Sequence, residues 1–170
     1  MLCAALNPKQ DKMEKSSKAA GLSMRSMFRC MMEEGYYPTF EQTHIQFGLD
    51  DNIAVVEYEE GVLSVRLFFS IEEEAYELFL EASNMMMIET FAVKPVILED
   101  MKNIMFSCEA LCTTCRDLKR IFPRMVEMIK EALAIHKQEM KQILITEELI
   151  KATMPVAEDS ATGTVRKLLS

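Results

Sequence analysis

Between Tyr36 and Ala110 the chain alternates apolar and polar residues in three runs, changes to a helical spacing, then alternates twice more. Thr43, Ile45, Phe47 and Leu49 form the first run. Ala54, Val56 and Tyr58 form the second, and Leu63, Val65, Leu67 and Phe69 the third. A period of two puts each set on one face of a pleated strand. Asp50-Asp51-Asn52 and Glu59-Glu60-Gly61 lie between the runs. Connections this short, made of residues that bond to local backbone or accept positive φ, join strands antiparallel. Ser70 with Glu73 three residues on matches a capping box. Ala75, Leu78, Phe79 and Ala82 then predict a helix ending near Asn84. Phe91, Val93 and Ile97 predict a fourth strand. Pro95 within it lacks an amide donor, which places that strand at an edge or a bulge. Asp100 to Asn103 turns the chain, and Ile104, Phe106, Cys108 and Ala110 alternate as a fifth strand.

Helical patterns flank this core. Met24, Met27, Phe28 and Met31 recur at three- and four-residue steps, and Gly35 stands where a C-cap glycine belongs, predicting a helix over Ser17 to Glu34. Thr114 and Asp117 open a last pattern through Leu118, Ile121, Phe122, Met125, Ile129 and Leu133, weakening through Met140, Ile143 and Ile150. Pro123 interrupts it, and an interior proline predicts a kink or a break into two helices. The expected fold is α+β: a five-stranded, mostly antiparallel sheet flanked by helices, in the order α-β-β-β-α-β-β-α. A chain of 170 residues suits one domain, read as residues 17–152, with 1–16 and 153–170 expected as flexible ends.

Charge narrows the function. A formal net charge of -8, with Lys119, Arg120 and Arg124 as the largest basic group, argues against nucleic acid, which needs clustered cations. It suits a basic or amphipathic peptide partner. No uncharged run approaches the roughly 18 residues of a membrane span. Met1 to Pro8 lacks the charged and apolar regions of a signal peptide, so a cytoplasmic location is expected. Five cysteines without framework spacing fit a reducing compartment. Fifteen methionines supply either pliable core filling or an adaptable binding surface.

One motif could carry chemistry. Cys108, Cys112 and Cys115 have the C-x3-C-x2-C spacing that resembles the radical S-adenosylmethionine signature. The context is wrong for it: the motif follows the fifth strand instead of the first, and Thr114 stands where an aromatic residue is usual. Zinc would need His44 or His136 as a fourth ligand; His44 lies on the strand face opposite Ile45, and His136 lies far along a helix. Cys112 and Cys115 also form a C-x2-C pair, but without the βαβ unit of a thioredoxin-like centre. Buried cysteines account for the pattern more simply. The runs Glu57-Glu59-Glu60 and Glu72-Glu73-Glu74 fit a solvated strand edge and a helix start better than a cation site. No nucleophile–base pair and no phosphate-cradling glycine loop is recognisable, so no cofactor and no catalysis are expected. A metal or iron–sulfur redox centre on the three cysteines is the alternative.

The better clue is the second face of the sheet. A wetted face should be polar at alternate positions, yet Ile53, Val55, Phe68, Val96, Leu98 and Met105 fall there. Either helices cover both faces, or these six residues meet a subunit or another protein.

The order of elements resembles the fold of type III secretion chaperones, and the detail resembles the YbjN family of bacterial proteins. The residues that carry it are Met31-Met32-Glu33-Glu34-Gly35-Tyr36, Glu59-Glu60-Gly61, Asn84, Val93-Lys94-Pro95 and Cys108-Glu109. The resemblance covers roughly residues 20 to 140. It implies a small, acidic, non-enzymatic cytoplasmic protein, often a homodimer, that binds a protein or peptide partner on apolar surface or acts as a regulator. It supplies no catalytic residues.

Overall fold

The computed structural model describes residues 22–153, so the loose start expected over 1–16 lies outside the described residues, as does the tail expected over 153–170 apart from Thr153, which closes the last helix. Helix α1 (Met24–Glu33) begins on Ser23, whose hydroxyl accepts from the Ser26 amide while Ser26 caps back. The predicted first turn, 17–21, also lies outside that range. The helix ends as its sequence demands. Gly35, at φ 85°, donates to the Met32 carbonyl, and Tyr36 donates to that of Met31, which is a Schellman closure.

Six strands follow, one more than expected. They are β1 (Thr39–Phe40), β2 (Ile45–Leu49), β3 (Asn52–Glu59), β4 (Val62–Ser70), β5 (Val93–Ile97) and β6 (Asn103–Leu111). All neighbours pair antiparallel in the order β1-β2-β3-β4-β6-β5. The Glu60-Gly61 connection has positive φ at both residues, the geometry that matches strand twist in a two-residue hairpin. Pro95 does lie on an edge strand, paired with Phe106 of β6.

Two local expectations fail, and of the two alternatives at Pro123 the break is absent. Ser70 is not a helix cap: it stays in β4 opposite Asn103, and its hydroxyl reaches the Asn103 amide oxygen at 3.5 Å. The chain enters helix α2 (Tyr76–Glu89) through a 3-10 turn at Glu73–Ala75. Helix α2 also continues past Asn84 to Glu89, because Met86 on its inner side still packs into the core. Pro123 does not divide the last helix: α3 (Cys115–Thr153) runs on as 39 residues. Phe122, Met125 and Val126 are buried around the proline, so packing on both sides outweighs the lost hydrogen bond. Thr114 caps this helix, accepting from the Asp117 amide at 3.1 Å.

The core lies between one face of the sheet and the helices. Ile45, Phe47, Ala54, Val56, Leu63, Val65, Leu67, Ile104, Phe106 and Cys108 point to it. Met27 and Met31 of α1, Met86 of α2, and Leu118, Phe122, Met125 and Ile129 of α3 meet them. Four of the fifteen methionines, Met27, Met31, Met86 and Met125, are therefore core filling.

Candidate functional site

Side chains alternate across a pleat, so burying one sheet face presents the other. Among the described residues every helix packs on the first face, and none covers the second. The registers assemble the second face into cross-strand rows. Phe68 of β4 stands opposite Met105 of β6, which stands opposite Val96 of β5. On the other side of β4, Val55 pairs with Arg66, so Ile53, two residues on, lies level with Phe68; its own partner on β2 is Gly48. Ile53, Phe68 and Val96 are 65%, 45% and 41% exposed. Val55, Met105 and Leu98 are half-buried. The structure therefore brings five of the six predicted contact residues onto one face, four of them in a single apolar row, while Leu98 lies just beyond the end of β5.

The next row along the strands is Val55, Arg66, Ser107 and Lys94. Beyond it come Glu57, Ser64 and Glu109. The two charged rows engage each other. Arg66 pairs with Glu57, and its Nε donates to Ser64 at 3.0 Å. Lys94 lies 3.8 Å from Glu109. Such exposed pairs contribute about 0–1 kcal/mol each, so they organise the surface more than they stabilise the fold. Ser107 is buried between Arg66 and Lys94 with no partner for its hydroxyl. The farthest row holds Glu59, Val62 and Leu111, where Leu111 is 77% exposed. Glu57, Glu59, Glu60 and Glu109 rim a shallow acidic hollow at this end.

Both sheet edges are unsuited to adding a strand. One edge is only two residues long, and the other carries Pro95.

The cysteine motif is not assembled. Cys108 is buried on the core side of β6, Cys112 is buried with its thiol 3.7 Å from the Thr114 carbonyl, and Cys115 opens α3 half-buried. All three are free thiols, and among the described residues no group of three His, Cys, Asp or Glu side chains could hold a metal ion. The fold instead sets Cys115 beside Cys30 of α1, a pair that the spacing could not suggest. Burial, then the neighbouring Cys115, pushes the Cys30 thiol up to about 11. Burial also raises Cys108 and Cys112, leaving them poor nucleophiles. His44 lies elsewhere, bonded to Gln46 at 2.8 Å.

One polar constellation was not visible in the sequence. Ser83 of α2 and His136 of α3 are both buried, with Oγ and Nε2 3.2 Å apart. Phe79 and Phe106 flank the imidazole at 5.5 and 5.1 Å. The ring is enclosed between helices and sheet, which makes this a bond that fixes α2 on α3. Burial pushes the His136 pKa below its ordinary value, outweighing the opposing pull of the nearby Phe79 backbone. The unfolded chain therefore takes up this proton more readily than the folded one. Stability from His136 is complete above about pH 6.5 and falls as pH drops below it. Urea midpoints at pH 7.5 and 5.5 should show the loss, and His136→Gln should reduce it.

No protein-family model matches the chain, and no curated protein matches it. Solved structures do. The crystal structure of YbjN, a candidate transcription regulator from E. coli, superposes with a TM-score of 0.59 at 9% identity, over 71% of this chain and 94% of that one. An uncharacterized protein from Methanothermobacter thermautotrophicus superposes with a TM-score of 0.51 at 10% identity, over 71% and 98%. The chain thus has the fold of YbjN.

Proposed function

We propose that this protein is a non-enzymatic protein- or peptide-binding module, chaperone-like or regulatory, that works through the open face of its sheet. The observation that carries the reading is the apolar row Ile53–Phe68–Met105–Val96, presented on a face that no described helix covers. A row of four strands at about 4.8 Å spacing spans about 14 Å, enough for two turns of a helix or one pleated segment of a partner. Burying its aliphatic and aromatic side chains supplies affinity. The acidic hollow beside it gives the encounter a charge preference and a salt dependence. A cytoplasmic setting fits the free thiols; no helix among the described residues is long and apolar enough to cross a membrane.

Phe68→Asp tests the reading. The full-length chain, tagged and recovered from its host, should retain proteins that the variant releases by at least tenfold. The variant should keep its circular dichroism spectrum. Identical retained sets from folded wild type and variant would contradict the proposal.

A further inference from the structure

We infer that residues 1–21 of this chain cover the open sheet face until a partner displaces them. The inference rests on the reading above, that this face buries polypeptide, and names its occupant in the free protein. The described chain begins at the end of the sheet where the acidic hollow lies. The Leu22 amide donates to the Thr113 carbonyl at 3.1 Å, and the adjacent Cys112 amide donates to the Gly61 carbonyl at 2.8 Å. Leu22 is thereby tied beside the Glu60–Gly61 turn, close to the row of Glu59, Val62 and Leu111.

The charge at that end matches the segment that leads into it. Arg66 and Lys94 are engaged by Glu57 and Glu109, and among the described residues neither Glu59 nor Glu60 pairs with a cation. Residues 1–21 carry Lys9, Lys12, Lys15 and Lys18 against Asp11 and Glu14, a formal charge of +2 within a chain of -8. Opposite charges at the tether point favour contact. Residues 154–170 offer no such match. Glu158 and Asp159 there balance Arg166 and Lys167, and the preceding stretch of α3, residues 144–153, is exposed throughout.

Order along the segment agrees with order along the face. Counting back from Leu22, the lysines come first, and Leu6, Leu2 and Met1 come last. Moving away from the Glu60–Gly61 turn, the acidic rows come first and the apolar row of Phe68 comes last. Phe68 lies six residues along β4 from Val62, or about 20 Å. Leu6 is sixteen residues from Leu22 and reaches up to about 50 Å, so it spans that distance with slack to pass round the end of the sheet. A short tether holds its segment at an effective concentration on the order of 1 mM. Even a contact with a Kd of about 1 mM then fills the face about half of the time, and a tighter partner displaces it.

A photo-crosslinking amino acid at Leu6 of the purified full chain tests the inference. Illumination should link position 6 to the strands that carry Ile53, Phe68 and Met105, within one 19.5 kDa chain and in a yield independent of protein concentration. Phe68→Asp should lower that yield at least fivefold, and Glu59→Lys with Glu60→Lys at least threefold. Adding Lys15→Glu and Lys18→Glu to the latter pair should restore it, which a purely structural effect on the turn would not allow. Ile88→Asp, on the exposed side of α2, should leave it unchanged. Should Phe68→Asp fail to fold, Ile53→Asp decides, because that side chain is the more exposed of the two. Links confined to the helices overturn the inference, as do adducts found only at twice the chain mass. So does a yield that neither the face variants nor the charge variants change. If position 6 links elsewhere while Phe68→Asp still releases host proteins, only the choice of occupant fails and the binding reading stands. If position 6 links to the face but wild type and Phe68→Asp retain the same host proteins, the inference stands and the partner reading fails.

Discussion

Leu67→Asp should leave little folded protein, whereas Phe68→Asp, one residue further along β4, should leave stability within about 0.5 kcal/mol of wild type. Leu67 is 1% exposed on the core side; Phe68 is 45% exposed on the open side. An aspartate buried at 67 must take up a proton at neutral pH, which costs about 4 kcal/mol for a carboxyl with an ordinary pKa near 3.9. Losing the buried leucine adds about 2 kcal/mol. Domains of this size have about 5–15 kcal/mol in total, so the sum removes most or all of it. At 68 the new carboxylate stays in water and incurs neither cost. Urea melts of the two variants measure the contrast. If both unfold, or neither does, the assignment of faces is wrong.

Phe122→Ala should cost about 3–5 kcal/mol. The ring is 2% exposed and joins three parts of the fold. It packs edge-on against Tyr36 at a centroid distance of 4.8 Å, just after α1, and tilted against Phe47 of β2 at 5.4 Å. Deleting it opens a cavity where α1, β2 and α3 meet, and removes two aromatic contacts worth about 0.5–1.5 kcal/mol each. Phe91→Ala is the control: that side chain is fully exposed after α2, and its loss should fall within about 0.5 kcal/mol. A lowered urea midpoint with an unchanged slope identifies a stability effect in the native fold.

What the sequence could show depended on whether its signal was periodic. Strands β2 to β6 were legible because alternation over five to nine residues fixes both the element and its face. Parity alone therefore placed Ile53, Val55, Phe68, Met105 and Val96 together. Strand β1 was invisible, because Thr39–Phe40 is too short to have a period. The end of α2 was misplaced because Met85-Met86-Met87-Ile88 is apolar throughout and marks no face. Ser70 has the right residue pattern for a cap, but pairing with Asn103, distant in sequence, prevails over the local hydrogen bond. Pro123 signals a break that packing on both sides overrides. The choice between helices on both sheet faces and helices on one depends on tertiary packing, which no local pattern encodes. The same is true of the Ser83–His136 bond, whose members are 53 residues apart.

The open side of the sheet is the proposed contact surface. The most direct measurement places a photo-crosslinking amino acid at Ile53 or, separately, at Glu81 on the exposed side of α2, in the full chain in its host. Illumination should give discrete polypeptide adducts from position 53, and far fewer from position 81. Adducts from position 81 with none from position 53 would contradict it.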